Sequence, residues 1–359
     1  MARARKASYT HHAMPPKRPL PVGKLPPSVL KKLLHSCTFP KSSGVILGPR
    51  YGEDAAVLAM GGKYLVAKTD PITFTGDRSG WYAVNINAND LAALGARPRW
   101  FLATFLLPEK KTNAAMVQRL FAETLKACGD LDVSLCGGHT EVTSGLDRPM
   151  VVGLMLGEVE KTKLVRKSRQ RPGDAIILTK GVAIEGTAIL AREKAGLLRK
   201  KLGTTLVRQA QRLRLHPGIS VVRDAQVALR HGEIHAMHDP TEGGLVTALY
   251  ELAESANVGL EVWREKIPVF AETQALAKVL DFDPLALLAS GALLIVAARD
   301  SGPQVVRGLL RHGIHAEVIG KIQGRKDGIS MTEGSRTKAL RIPAQDEIAR
   351  LLSGASRGK

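Results

Sequence analysis

Five short stretches of the chain hold residue types that could do chemistry. Gly52-Glu-Asp-Ala-Ala-Val57 delivers Asp54 from a glycine turn to the start of an apolar run. Lys68-Thr-Asp-Pro71 sets Asp70 just past another, and Asn85-Ile-Asn-Ala-Asn-Asp-Leu91 places Asp90 on a helix with Asn87 and Asn89 close by. Hard oxygen ligands converging from separate elements suit Mg²⁺, which takes one or two carboxylates, waters and substrate phosphates. Any one of these aspartates equally fits a turn or a helix cap; the three together carry more weight than each alone. The fourth stretch, Cys136-Gly-Gly-His-Thr-Glu141, stands at the end of an expected strand. Paired glycines let backbone amides approach a phosphate, while His139, Thr140 and Glu141 offer a proton carrier, a hydroxyl and a metal ligand. The fifth, His238-Asp-Pro-Thr-Glu-Gly-Gly-Leu245, passes from a strand end into a helix start. There Asp239 either caps the helix or meets the substrate.

The elements that must position these residues alternate between periods of 2 and 3.6. Residues 25–35 read as a helix, 55–60 and 63–68 as a hairpin about Gly61-Gly62, 81–94 as a helix and 100–105 as a strand. Residues 114–128 form an amphipathic helix stopped by Gly129, followed by strands at 132–136 and 150–156. Residues 160–173 are polar and basic and end in a Pro-Gly turn, the composition of a linker or exposed loop. Beyond them come strand 175–179, helices near 184–195, 204–214 and 219–230, strand 233–237, helix 243–256, strands 258–263 and 293–298, helix 303–311 and strand 315–319. The fold class is α/β (α+β) in two domains, 25–160 and 174–352, with a basic disordered tail over 1–24, a linker at 161–173 and a short tail at 353–359. Met14 opens an alternative start within the first tail.

Charge is the unusual bulk property. The 359 residues carry 52 Lys+Arg against 33 Asp+Glu, a net +19, which raises the question of a nucleic-acid partner. The excess is not spread evenly: residues 160–231 hold a net +12, whereas 50–159 are at −1 and 232–298 at −7. The motif-bearing stretches therefore keep carboxylates against a basic background. Three cysteines without C-x-x-C spacing exclude a disulfide framework and a zinc finger, and fit a reducing, cytoplasmic setting. The apolar run 285–298 is shorter than the roughly 20 residues of a spanning helix and reads as core, so no membrane is expected. Neither a P-loop nor a G-x-G-x-x-G fingerprint is present.

In this order, Gly-Glu-Asp-Ala-Ala-Val, Thr-Asp-Pro, Asn-Asp-Leu-Ala-Ala-Leu-Gly-Ala-Arg-Pro, Gly-Gly-His-Thr-Glu, Pro217-Gly-Ile-Ser-Val-Val-Arg-Asp224 and His-Asp-Pro-Thr-Glu-Gly-Gly-Leu resemble the superfamily of aminoimidazole-ribonucleotide (AIR) synthase, thiamine-monophosphate kinase, selenophosphate synthetase and the hydrogenase-maturation protein HypE. The resemblance covers residues 25–352 and leans toward HypE and the AIR-synthase-related proteins near it. It implies an ATP- and Mg²⁺-binding cleft and a homodimer formed through the N-terminal sheets. It also implies Mg²⁺ held by Asp54, Asp70 and Asp90, and a nucleotide contacted by Gly52, Thr69, Asn89, Gly137, Gly138 and Thr140. His139, Glu141 and Asp239 are the candidates for acid–base or substrate roles. The sequence departs from the pattern in having Glu53-Asp54 for Asp-Asp and His139 where HypE has an aspartate. As given, the C-terminus lacks the cysteine that accepts a carbamoyl group in HypE, and Cys37, Cys128 and Cys136 read as buried packing. Selenophosphate synthesis is disfavoured for want of a reactive N-terminal cysteine.

The expected function is an ATP- and Mg²⁺-dependent enzyme that activates a carbonyl, amide or phosphate oxygen by phosphoryl transfer. Its substrate is a small molecule or a protein-bound group, and a maturation protein is the expected partner. Two alternatives stay open: a maturation scaffold that binds ATP without turnover, and a basic nucleic-acid-binding protein. Against the second stand an aromatic content of 4% for base stacking and the absence of any nucleic-acid-binding signature.

Overall fold

The computed structural model describes residues 20, 23–73, 75–343 and 346–353. The tail expected over 1–24 therefore lies outside the described residues except for Leu20, Gly23 and Lys24, and 354–359 lie outside them altogether. After helix α1 (Pro27–His35), the first sheet comprises β1 (Val45–Leu47), β2 (Ala56–Met60), β3 (Lys63–Ile72), β4 (Arg97–Pro108), β5 (Ser134–Thr143) and β6 (Met150–Glu160), with α2 (Ser79–Ala93) and α3 (Ala114–Asp130) between them. Its order is β1-β2-β3-β6-β4-β5, antiparallel except for the parallel β4–β5 pair. The second sheet comprises β7 (Ala175–Thr179), β8 (Ile234–His238), β9 (Gly259–Trp263), β10 (Leu294–Ala297), β11 (Ala316–Gln323), β12 (Ile329–Glu333) and β13 (Arg336–Ala339), in the order β13-β12-β9-β11-β7-β10-β8. Helices α4 (Ile184–Glu193), α5 (Ala195–Leu202), α6 (Thr204–Arg212), α7 (Val222–His231), α8 (Gly244–Ala256), α9 (Ala271–Leu280), α10 (Gly302–Arg311) and α11 (Glu347–Ser353) cover it. The mixed α/β class and the two sheets in two domains are as the sequence implies.

Strand alternation decides what each sheet face meets. Along β6, Val151, Met155 and Val159 are buried on one face, while Val152, Leu154 and Leu156 lie half-buried on the other. The first face carries α2, which is buried at every position but Trp81. A helix buried all round needs cover on both sides, and the second domain supplies the other. Gly153 permits the close approach: a Cβ there would lie 2.5 Å from Asn87 Nδ2 and 2.7 Å from the Phe101 ring. In β7, Ile177 joins the core shared with α2, α7 and α10, whereas Ile176 and Leu178 join a second core under α4, α6, α8 and α9. The first core is thus continuous between the two domains.

One polar clamp fixes that junction, and a second holds its segment within the second domain. Asn89 donates from Nδ2 to the Ile219 carbonyl at 2.9 Å and accepts from the Val221 amide at 2.8 Å. Asp224 accepts from Thr179 Oγ1 at 2.9 Å and pairs with Lys180 Nζ at 3.0 Å. The Pro217–Asp224 motif is therefore bound up in holding the two domains together.

Several expectations need correction. Gly129 does not stop α3, which runs on to Asp130 and is capped at its start by Asn113, whose side chain accepts from the Met116 amide at 2.9 Å. The helix expected over 184–195 breaks into α4 and α5, and β1, α9, β12, β13 and α11 carried no expectation. The segment 160–173 is not simply exposed: Leu164, Val165, Lys167 and Gln170 are buried. Burial also separates the cysteines, for Cys128 is buried but Cys37 and Cys136 are exposed. The run 285–298 is core throughout most of its length, as expected.

Candidate active site

A cavity of about 1120 Å³ opens between the helix-covered face of the first sheet and the second domain. Strand β3 brings Lys68 and Asp70 to that face, since both alternate with Thr69. Helix α2 lies across them with Asn87 donating to the Asp70 carbonyl at 3.3 Å, which sets Asp90 one turn further along the same side. Lys68 Nζ is 3.3 Å from Asp70 and 3.4 Å from Asp90. The turn before β2 supplies Asp54, and the end of β8 supplies His238 and Asp239. One ligand atom from each of Asp54, His238 and Asp239 lies within 4.8 Å of the others.

The pairings inside this cluster are unequal. Asp54 meets Lys167 Nζ at 2.8 Å and His238 Nδ1 at 2.7 Å, and His238 Nε2 faces Glu251 at 2.9 Å. Lys167 Nζ also donates to the Gly52 carbonyl. Lys24 Nζ donates to Thr241 Oγ1 at 3.0 Å, with Glu242 and Glu251 beyond it. Burial works against the Asp54 carboxylate, but the His238 and Lys167 charges outweigh it and hold the group well below the usual carboxylate range. Burial likewise opposes a charged His238, and the Asp54 carboxylate beside it raises the ring above its ordinary value. Burial opposes ionised Glu251, yet Lys24 and His238 draw it down to about 2.

Asp239 stands apart. Neither of its oxygens has a hydrogen-bond partner among the described residues, whereas Asp54 Oδ2 and Asp90 Oδ2, which also make no hydrogen bond, each face a lysine ammonium, Lys167 and Lys68. Burial, with Asp54 alongside, pushes Asp239 up to about 7. Burial also lifts Asp90 well above its ordinary value despite Lys68. A buried carboxylate with both oxygens unpartnered is costly, and a cation relieves that cost. Hard oxygen donors fit Mg²⁺ better than a softer metal, and Asp239 is the residue freest to hold it, with a ligand atom of Asp54 within 4.8 Å and Asp90 lining the same cavity. Asp54 is engaged by Lys167 and His238, and Asp70 and Asp90 by Lys68.

The expected site residues divide into two groups. Gly52, Asp54, Asp70, Asp90 and Asp239 line the cavity. Thr69 borders it too, but alternation turns its side chain to the opposite sheet face. Asn89 is engaged by backbone groups of 219–221, as described above, and does not line the cavity. Gly137, Gly138, His139, Thr140 and Glu141 lie within β5, not at its end, on the exposed edge of the first sheet. His139 pairs with Thr104 and Glu141 with Leu106, so both belong to the open face, away from the carboxylates. His139 Nε2 is 3.0 Å from Glu141 Oε2, and Thr143 Oγ1 donates to Glu141 at 2.6 Å. Gly138 has a packing reason to be glycine: at φ 144° a Cβ would fall 1.8 Å from the Ala103 carbonyl oxygen. No described cysteine lines the cavity.

Sequence reasoning assigned no role to Lys24, Lys68, Lys167, His238, Glu242 or Glu251. Lys68 was findable, because it stands two residues before Asp70 on one strand face, and His238 directly precedes Asp239. Lys167 carried no signal, being one of six basic residues in a short polar stretch.

Residues 52–159 match the family described as AIR synthase related protein, N-terminal domain, and residues 171–332 match its C-terminal domain. A putative hydrogenase expression/formation protein of Methanocaldococcus jannaschii is 27% identical over 307 residues, covering 83% of this chain and 88% of that protein. Carbamoyl dehydratase HypE of Rhodobacter capsulatus is 30% identical over 247 residues, 67% of this chain and 69% of the relative. The crystal structure of hydrogenase maturation protein HypE in complex with ATP superposes with a TM-score of 0.68 at 23% identity, covering 89% of this chain and 91% of that one, which shows a shared fold.

Proposed function

This chain belongs to the AIR synthase related family, and we propose that it is an ATP- and Mg²⁺-dependent enzyme which activates a carbonyl, amide or phosphate oxygen by phosphoryl transfer in the maturation of a hydrogenase. The observation that carries this reading is the convergence of buried Asp54, Asp90 and Asp239 and half-buried Asp70 about Lys68, with Asp239 unpartnered. Phosphoryl transfer asks a protein mainly for positioning and for charges aimed at the phosphates. Bound Mg²⁺ would neutralise phosphate charge. The ammonium groups of Lys68, between Asp70 and Asp90, and of Lys24, beside Thr241, are placed to meet phosphate oxygens at the cavity wall. Lys167 and His238 hold Asp54 in one orientation through its two oxygens. The names of the relatives support the maturation setting, and the ATP complex of the structural neighbour supports the nucleotide.

Partners follow from the first sheet. Its open face carries half-buried Leu102, Val152, Leu154 and Leu156. An apolar sheet face of this kind suits a second copy of the chain. His139 and Glu141 stand on the same face and enter the reaction in this reading only through that second copy. A maturation protein is the further partner, and the acceptor is a small molecule or a group borne by such a protein.

The test measures Mg²⁺-dependent ATP binding and turnover in the wild type, Asp54→Asn and Asp90→Asn, with analysis of the nucleotide products. Turnover should depend on Mg²⁺, and Asp90→Asn should lose the greater part of nucleotide affinity. Equal affinity and activity in all three proteins refutes the metal assignment. Nucleotide binding without turnover, even with a maturation partner added, makes the protein a scaffold.

A further inference from the structure

Away from the cavity, residues 194–214 carry seven basic side chains and no acidic one. They span α5, α6 and the start of the turn after it, and the two helices are joined by Gly203 alone. Arg199, Lys200, Lys201, Arg208 and Arg212 are exposed, and none of them forms an ion pair or a side-chain hydrogen bond among the described residues. Helical spacing sets Leu197 beside Lys200 and Lys201, and Arg208 beside Arg212. Leu197 is 47% exposed and Leu215, just past α6, is 42% exposed. Like charges at such spacing weaken a helix, and nothing nearby in this chain neutralises them.

One edge of this surface is an arginine cluster. Gln211 Nε2 donates to the Ala191 carbonyl at 2.9 Å, which sets the end of α6 beside the end of α4, where Arg192 pairs with Asp77. Arg78 follows Asp77 directly, and Arg214 stands two residues past α6. Arg214 is half-buried, and its Nη1 is buried with no hydrogen-bond partner. Burial lowers its guanidinium from the ordinary value; Tyr82 and Glu123 act against this, and Arg78 and Arg192 add to it. Glu123 forms no ion pair with it among the described residues. A guanidinium short of an acceptor, on a side chain still partly exposed, gains from a carboxylate that draws it outward. Helix α4 joins this edge to the cavity: Glu185 in its first turn lines the cavity, and a rise of about 1.5 Å per residue puts Lys194 about 14 Å further out.

We propose that α5, α6 and Arg214 form a docking surface for an acidic, amphipathic segment of another protein, with Arg214 taking one of its carboxylates. Charge selects the occupant. Residues 1–24 and 354–359 of this chain hold no acid and do not match the surface, and a net +19 sets two copies of the chain against one another. The exposed leucines favour protein over nucleic acid, since residues 192–215 contain no aromatic ring on which a base could stack. Docking here is separate from the chemistry of the cavity and holds whether or not ATP is turned over there.

Fluorescence anisotropy on the full chain, with a labelled peptide of about 18 residues that has glutamates along one side of a helix and leucines along the other, tests the surface. The peptide should bind the wild type, and Lys200→Glu/Lys201→Glu should weaken it at least about tenfold, because two attractions become repulsions. Arg214→Gln should weaken it about fivefold, as should raising the salt from about 50 to 300 mM. A peptide with its leucines replaced by asparagine should bind at least about threefold less tightly, and single-stranded DNA of equal charge less tightly than the parent peptide. No binding of the parent peptide, undiminished binding to either variant, indifference to salt or equal affinity for the asparagine peptide would each overturn the docking surface. DNA as the tighter ligand would overturn it too, and put a nucleic acid in place of the protein. Lys200 and Lys201 are exposed, so their variant should keep the wild-type melting temperature, and it decides the matter if Arg214→Gln does not fold. Mg²⁺–ATP turnover, measured on the same variants, reports on the cavity alone.

Discussion

Replacing Lys167 by Met tests whether the ion cluster is as tightly built as its distances say. Lys167 is 1% exposed, its Nζ lies 2.8 Å from Asp54 Oδ2, and it also donates to the Gly52 carbonyl. Met fills similar volume, so the change removes one charge and its hydrogen bonds and leaves Asp54 buried with His238 as its remaining cation. Breaking a buried pair by removing one partner costs about 3–5 kcal/mol, and the surviving His238 contact favours the lower half of that range. Such a loss is a large share of the roughly 5–15 kcal/mol that stabilises most domains. Urea denaturation followed by far-UV circular dichroism reads it directly. The double variant Lys167→Met/Asp54→Asn should cost at least about 1 kcal/mol less than the two single changes added together, because each partner is exposed to the same loss. The single variant should also gain more stability from millimolar Mg²⁺ than the wild type does, since Asp54 is left to seek another cation. A Lys167→Met loss below about 1 kcal/mol, with no coupling to Asp54, would refute the argument and make the contact incidental.

Cation affinity should rise with pH and level off above about 7, where Asp239 becomes ionised. Below that point the proton competes with the metal, so affinity measured by isothermal titration should fall about tenfold per pH unit, and Asp239→Asn should flatten the slope. Mixing Asp90→Asn with Glu141→Gln in equal amounts should restore about a quarter of wild-type ATP turnover if Glu141 serves the neighbouring copy, because half the dimers are mixed and each then holds one intact site. Activity no higher than that of the separate variants would place Glu141 outside the reaction or within its own chain's site. Gly138→Ala should destabilise the first sheet by about 1–3 kcal/mol or more, as its Cβ would meet the Ala103 carbonyl oxygen at 1.8 Å. A melting temperature equal to that of the wild type would show that the β4–β5 pair yields.

The +19 of the chain reads differently once its position in the fold is known. Some of the basic excess of 160–231 turns inward, as Lys167 toward Asp54 and Lys180 toward Asp224. The acidic motif stretches meet at the cavity. Composition could not show this, because it counts charges without saying which of them face one another.

Local pattern carried much of the fold. The short apolar runs at 150–156 and 175–179 and the longer apolar stretch at 81–94 are properties of neighbouring residues, legible before any packing is known. The ordered motifs carried the family, and three of the carboxylates they contain, Asp54, Asp70 and Asp90, do converge at one cavity. What the sequence by itself could not determine is which distant groups complete the cluster. Lys167 reaches Gly52 across 115 positions and Lys24 reaches Thr241 across 217, and no local period records such contacts. Nor could it tell that Gly137 to Glu141 run on as an edge strand, with His139 and Glu141 on the far face of the sheet. A glycine pair reads equally as a phosphate loop or as a place where two strands come too close for a Cβ. Only the tertiary structure, by setting Ala103 against Gly138 and leaving Asp239 buried and unpartnered at the cavity, separates a residue that packs from one free to bind.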